Sequence, residues 1–554
     1  MKIKRIIAGM LAVVMCLSVT ACGDKDNKEE KKTTTEATEK LPEDVKPPVK
    51  EVVETLGDFD LSDFVVESNV DPDFKVEIEG ESGTYVGSTT TYNSKFLGEF
   101  SGEGFAAVSS AGASVEFEVE IADGGVYDLV FIAGGDASEK MGSVLIDGEK
   151  VTSLKINDSN NFAEYKLEKI ELEEGTRKIS VAYDNTGIYV DKFTISAAAA
   201  VDPALFEVSK TLSNPNASDR TKRLYSFLVD VYGKYIISGN YAAENSGVGG
   251  LESREFKELK RQFNDYPAIM GLDLIELSPS RVSHGSTSNV ILHAMEWNAK
   301  GGIVTLAWHW NAPDGYLEVN DQPWWRGFYA DSTNFNLGKA LSGEDPEGYE
   351  KLLSDIDAIA VALKELEAMD IPILWRPLHE AGGDPKWNNP WFWWGTSGAE
   401  PYKQLWILLY DRLTNYHKID NLIWVWNAQN VDWYPGDEYV DMISYDIYAA
   451  EHDTTTQKEI FDYIKGATTT NKIIALSENG VIPDPDLCMT EGTRWSWFSV
   501  WNGEFTLKDA QLSDQYTPLE TWQKVYSHDR VLTLSELPDL TCYPIDTEAY
   551  LAGK

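Results

Sequence analysis

The sequence has little of what several protein classes require. It holds four cysteines in 554 residues, too few for a disulfide framework or a thiolate zinc site. Lys and Arg number 48 against 90 Asp and Glu, a net charge of −42. That balance argues against nucleic acid and anionic surfaces as partners and suits a soluble extracellular protein acting on a neutral polymer. Beyond Val19 no run is apolar enough to cross a bilayer. Tryptophan is absent before Trp297, and all 18 lie at or after it. The Trp-free and Trp-rich parts therefore differ in core or in ligand, which is a domain signal.

What is present begins with a leader. Lys2, Lys4 and Arg5 precede a short apolar run, Ile6 to Val19, as in a signal peptide. The run ends Val19-Thr20-Ala21-Cys22-Gly23, which resembles a bacterial lipobox. The resemblance implies lipidation of Cys22, export, and a bacterial cell-surface protein held to the membrane only by its lipid. Residues 1–22 are thus expected to be leader and 23–72 a charged, Thr-rich tether stiffened by Pro42, Pro47 and Pro48, with too little apolar surface to order. With Cys16 in the leader and Cys22 lipidated, Cys488 and Cys542 remain. Export permits a disulfide between them, and their spacing does not decide it. The chain is expected to be monomeric.

From 73 to 197 short alternating strands are punctuated by Asp123-Gly124-Gly125 and Asp147-Gly148. Lys75 to Gly80, Ser114 to Ile121 and Lys178 to Tyr183 are examples. The spacing predicts an all-β jelly-roll sandwich. Glu77 and Glu79 share a face of its first strand, and Asp191 lies on its last. First and last strands of a sandwich are often neighbours, so these carboxylates could hold a structural calcium, or could form a solvated acidic face. The segment resembles carbohydrate-binding modules of the family 6 and family 35 type, which open with Glu-x-Glu and close with an Asp-bearing strand. That resemblance implies the calcium and a sugar ligand. The segment departs from such modules in having no tryptophan; Tyr85, Tyr92, Phe105 and Tyr189 are candidate substitutes.

After a linker at 197–203, strands and helices alternate across 203–554. Eight apolar strands are expected at 235–240, 268–273, 302–309, 371–376, 422–427, 442–446, 472–478 and 497–501, with the clearest helix over 349–369. This predicts a (β/α)8 TIM barrel of the α/β class. A doubly wound sheet is the alternative, and the Gly-rich loop it favours is missing after the first strand.

A barrel enzyme works at the carboxyl ends of its strands. There the sequence places His309, Arg376, His379, Glu380, Asn427, Asp446, Tyr448, Glu478 and Trp501, with Trp391-Phe392-Trp393-Trp394 close behind Glu380. Two carboxylates on opposite sides of a sugar are the minimum for glycoside hydrolysis. Glu380, crowded by aromatics, is the expected acid/base. Glu478, within reach of Arg376 and Tyr448, is the expected nucleophile. A retaining mechanism calls for carboxyl groups about 5–5.5 Å apart. A metal held by His309, His379, Glu380 and Asp446 is the rival, without the H-E-x-x-H pattern that would support it.

Trp-Arg-Pro-Leu-His-Glu at 375–380, Trp-Phe-Trp-Trp-Gly at 391–395 and Ser477-Glu478 resemble glycoside hydrolase family 26, mostly endo-β-1,4-mannanases. The resemblance implies double displacement on a β-mannan, with Glu380 as acid/base, Glu478 as nucleophile and no cofactor for the chemistry. It further implies that His309, His379, Trp391, Asp446, Tyr448 and Trp501 line the substrate. The same mechanism on mixed-linkage glucan or xylan, and a non-catalytic glycan-binding lipoprotein, are the alternatives.

Overall fold

Eight apolar segments of the carboxyl-terminal part pair side by side as parallel strands. They are β1 (Gly239–Tyr241), β2 (Ile269–Asp273), β3 (Ile303–Trp308), β4 (Ile373–Pro377), β5 (Leu422–Trp426), β6 (Met442–Ile447), β7 (Ile473–Asn479) and β8 (Phe498–Val500). The ladder runs in sequence order and β8 closes on β1, giving the (β/α)8 barrel that the sequence predicts. Their residues are almost continuously buried, as expected of strands covered on both faces. The computed structural model describes residues 52–61, 70–135, 140–156, 161–184, 187–244, 248–383 and 389–553. Cys22, the leader and most of the expected tether lie outside these residues.

Tryptophans fill the barrel wall. Trp308, Trp375, Trp424 and Trp426 are fully buried on β3, β4 and β5, each stabilising the fold by about 2–3 kcal/mol through the area it removes from water. The helix expected over 349–369 spans Pro346–Ala368. It begins a turn early because the Asp345 side chain accepts the Gly348 N–H at 2.9 Å and Pro346 sits at the first helical position, where it loses no hydrogen bond.

Ahead of the barrel, two antiparallel sheets face each other. One runs Thr90–Tyr92, Phe105–Val108, Ile188–Ala197, Gly125–Gly134, Ala163–Leu172, with Lys75–Glu79 also on Ile188–Ala197. The other runs Thr84–Val86, Ser114–Ile121, Gly175–Tyr183, Lys140–Ile146, Glu149–Ile156. Phe117 of one sheet stacks on Phe193 of the other at 5.0 Å. The core needs no tryptophan.

Residues 53–61 depart from the expected tether, because they pack on the barrel. Leu56 is buried, and Phe59 meets Phe227 and Tyr235 at 5.6 and 5.7 Å. Glu54 accepts from buried Arg223 at 2.6 Å. Leu61 packs against the same core beside Leu56 and Phe59. Cys488 is buried and Cys542 half-buried, both as free thiols.

Candidate active site

The site is set up by a backbone irregularity after β4. Leu378 and Glu380 both have positive φ, 52° and 53°. Such a conformation costs about 1–3 kcal/mol for a non-glycine residue. It is held because the Glu380 N–H donates to the Asn427 carbonyl at 2.9 Å, beyond β5. The turn aims the Glu380 side chain into the barrel mouth. Gly395 closes the aromatic loop against this turn: a Cβ there would lie 1.8 Å from the Ala381 carbonyl oxygen, so only glycine allows the approach. In that loop the Trp391 indole N–H donates to Glu380 Oε2 at 2.8 Å. The Trp394 indole donates to the His379 carbonyl at 2.9 Å.

On the opposite side, a bulge between Tyr445 and Asp446 sets Asp446 beside Glu478 in the β6–β7 pairing. Arg376, wholly buried, donates to Asp446 Oδ2 at 2.6 Å and to Glu478 Oε2 at 2.7 Å. Its remaining donors reach the Tyr241 hydroxyl at 2.9 and 3.3 Å. Tyr241 fits because β2 carries Gly271 beneath its ring, where a Cβ would come within 2.6 Å. Ser477 Oγ donates to Asp446 Oδ1 at 2.7 Å, and the Tyr448 hydroxyl donates to Glu478 Oε1.

The electrostatics separate the carboxyls. Burial drives the Glu380 pKa well above its ordinary value, aided by the charges of Asp446 and Glu478 and opposed by the Trp391 hydrogen bond. Burial likewise lifts Asp446 to about 7, against the pull of Arg376. Burial and the Glu478 charge keep the Tyr448 hydroxyl protonated. Burial, Arg376 and His309 hold His379 well below the ordinary imidazole value, so it is neutral. One oxygen each from Glu380, Asp446 and Glu478 lies within 4.8 Å of the others. That closeness fits a retaining pair, whose carboxyl groups stand about 5–5.5 Å apart.

His309 and His379 meet edge to face, Nε2 to Nε2 at 3.1 Å. His309 also contacts Trp501, which packs on Tyr241 with ring centres 4.6 Å apart. The expected residues His309, His379, Glu380, Trp391, Asp446, Tyr448, Glu478 and Trp501 thus surround one mouth. The close acidic cluster consists of the three carboxylates rather than the histidine-containing set raised as a metal rival. With Arg376 between Asp446 and Glu478, a cation there would face an arginine. From Tyr241, Asp273, His309 and Trp501 a cleft of about 710 Å³ continues past Phe328 and Tyr329. Sequence reasoning missed Tyr241 and Asp273. Each ends its strand, and strand position was the signal available for both.

In the sandwich, Glu79 and Asp191 converge on Ser101, whose hydroxyl donates to Glu79 at 2.6 Å and whose backbone N–H donates to Asp191 at 2.9 Å. Glu77 does not join them. It faces solvent and pairs with Lys75 at 3.0 Å, because the register sets Glu79 opposite Lys192, next to Asp191, and Glu77 opposite Thr194, further along the strand. Tyr92, Phe105 and Tyr189 share a cluster with Phe96. Phe105 is fully buried, so Tyr92 and Phe96 form its exposed edge. Tyr85 lies outside the cluster's ring contacts and bonds the Thr91 hydroxyl at 2.8 Å.

Residues 213–536 match the model of glycosyl hydrolase family 26, and residues 76–197 match that of carbohydrate binding module (family 35). A mannan endo-1,4-beta-mannosidase of Thermothelomyces thermophilus is 37% identical over 79% of this chain and 86% of its own length. Mannan endo-1,4-beta-mannosidase B of Piromyces sp is 33% identical over 86% of this chain and 80% of its own. The crystal structure of a GH26-CBM35 beta-(1,4)-mannanase from Podospora anserina superposes with a TM-score of 0.65 at 34% identity, covering 84% of this chain and 98% of that one.

Proposed function

Because the chain belongs to glycosyl hydrolase family 26, we propose that it is a retaining endo-β-1,4-mannanase that cleaves mannan, galactomannan or glucomannan by double displacement. The observation that carries this is the Glu380–Glu478 pair: two close carboxylates in unlike surroundings. Glu478, ion-paired to Arg376, attacks the anomeric carbon while protonated Glu380 gives its proton to the departing oxygen. The bond to the leaving sugar breaks and a glycosyl–Glu478 ester forms. Glu380, now a carboxylate, takes a proton from water, which attacks the same carbon and releases Glu478. Tyr448 and Arg376 hold the nucleophile's oxygens throughout. His379 orients the sugar beside the acid.

The test is reducing-sugar release and product sizing from mannan, mixed-linkage glucan and xylan. Cleavage of mannan into oligosaccharides of mixed length supports the proposal. Cleavage of glucan or xylan alone reassigns the substrate, and no cleavage of any leaves a glycan-binding protein.

The sandwich serves the same substrate by holding the enzyme on mannan, through the exposed edge of Tyr92 and Phe96. It also fits a structural calcium. Glu79 and Asp191 are paired hard oxygen donors, and nearby Glu81 has one oxygen buried without a hydrogen-bond partner. Chelation lowering the melting temperature, with calcium restoring it, would support this. The lipobox-like Val19-Thr20-Ala21-Cys22-Gly23 supports reading the enzyme as lipid-anchored at the bacterial cell surface. Palmitate labelling lost in Cys22→Ala is the test.

A further inference from the structure

We infer that Asp273 is a positioning residue of the reaction centre, fixing which nitrogen of His309 is protonated and, through His309, the ring of His379 beside Glu380. Asp273 ends β2 and lines the cleft. Its carboxylate is fully engaged. Oδ1 accepts the backbone N–H groups of His309 at 3.1 Å and Ile275 at 2.9 Å, and Oδ2 accepts His309 Nδ1–H at 2.5 Å. Burial would raise this carboxyl, but its pairing with His309 and these hydrogen bonds outweigh it and hold it low. An ionised carboxylate only accepts, so the proton of His309 sits on Nδ1.

The second link follows from what His379 lacks. His379 is buried and neutral, with one N–H to place. Its Nδ1 has no partner, whereas its Nε2 lies 3.1 Å from His309 Nε2. A buried N–H left unpaired costs more than an unpaired lone pair on a ring nitrogen. The N–H is therefore on Nε2 and donates to His309 Nε2. The order is Asp273 carboxylate, His309 with Nδ1–H, His379 with Nε2–H, every proton assigned by the group before it. Behind metal-bound histidines such groups set tautomer and orientation, and losing one costs about 10–100-fold; a loss of that order is expected here.

The inference rests on the hydrolase reading, and its test separates the two. In the full chain with ¹⁵N-labelled histidine, NMR is expected to show His309 protonated at Nδ1, the resonance being assigned by its loss in His309→Gln. Asp273→Asn must present either an NH2 to the two backbone donors or an NH2 to His309 Nδ1, so it is expected to lose the fixed tautomer. Its kcat/KM on mannan should fall about 10–100-fold, mainly in kcat, with the melting temperature nearly unchanged. Asp273→Ala should fall at least as far. An Nε2-protonated His309 in the unsubstituted chain, or an Asp273→Asn variant within twofold of it in kcat/KM, overturns the role. An unsubstituted chain that cleaves no glycan fails the hydrolase reading instead, and the NMR result still reads the Asp273–His309 link.

Discussion

An oxygen of Glu380 lies within 4.8 Å of an oxygen of Glu478, yet the two carboxylates keep different company. Glu478 takes a guanidinium and a phenol; Glu380 takes one indole N–H and is otherwise desolvated. The pair is arranged for one ionised and one protonated member. Closeness of this order leaves no room for a water between carboxylate and sugar, so the product should keep its anomeric configuration. ¹H NMR during hydrolysis should show the β-anomer first. Immediate appearance of the α-anomer would refute the double displacement.

Glu478→Ala should abolish turnover, with kcat down by about 10⁴-fold or more. The fold should survive because Arg376 keeps Asp446 and Tyr241 as partners. Far-UV circular dichroism checks the fold. Azide, entering the space left by the carboxylate, should restore activity with an inverted glycosyl azide product.

Trp391→Phe isolates the indole hydrogen bond. That bond lowers the Glu380 pKa, so removing it raises the pKa further. Glu380 must be protonated in the first step, hence kcat/KM falls as pH rises through its pKa. The alkaline limb of the pH profile should therefore move to higher pH in Trp391→Phe, while kcat drops about 10–100-fold because the acid is no longer aimed. A limb that stays or moves down would refute the assignment of Glu380 as acid.

The sequence displays the barrel well because most strands are largely apolar runs with a polar tip, a pattern that survives without any alignment. Seven of the eight strands fall on expected segments; the first, Gly239–Tyr241, only overlaps the end of 235–240, whose Ile236–Ile237 pairs with Val531–Leu532 instead. The paired glutamates were legible for the same reason, each standing at the end of such a run. Asp273 was not, although it ends its run too. Its role depends on a histidine from the next strand, a pairing that the sequence does not display. Positive φ at Leu378 and Glu380 is equally invisible, since neither residue type signals it. The packing of 53–61 was hidden by averaging: Leu56, Phe59 and Leu61 are few among acidic neighbours, and only the barrel surface that receives them makes them a core.

That packed segment is a testable addition to stability. Leu56→Asp would place a charge in a buried apolar contact and should detach the segment, lowering unfolding free energy by about 1–3 kcal/mol. Activity on a soluble manno-oligosaccharide should not change, because residues 53–61 touch none of the site residues described above. Urea unfolding and initial rates measured on one preparation separate the two effects.

Asp355 gives a pH dependence that belongs to stability rather than catalysis. It is buried on the helix behind β3, where it accepts the Trp310 indole N–H at 2.9 Å, and burial lifts its pKa to about 7. Its unfolded value is near 3.9. Below about pH 4 the group is neutral in both states and its contribution to stability is fully present. Between about pH 4 and 7 the unfolded chain releases the proton while the folded chain keeps it, so stability falls as pH rises, by up to about 4 kcal/mol in all. Asp355→Asn has no proton to release and can still accept from Trp310. Its unfolding free energy should therefore vary less with pH, and its advantage over the unsubstituted chain should grow from pH 4.5 to 7.5. Urea titrations at the two pH values check this. A parallel pH dependence in both proteins would mean that Asp355 is ionised in the fold.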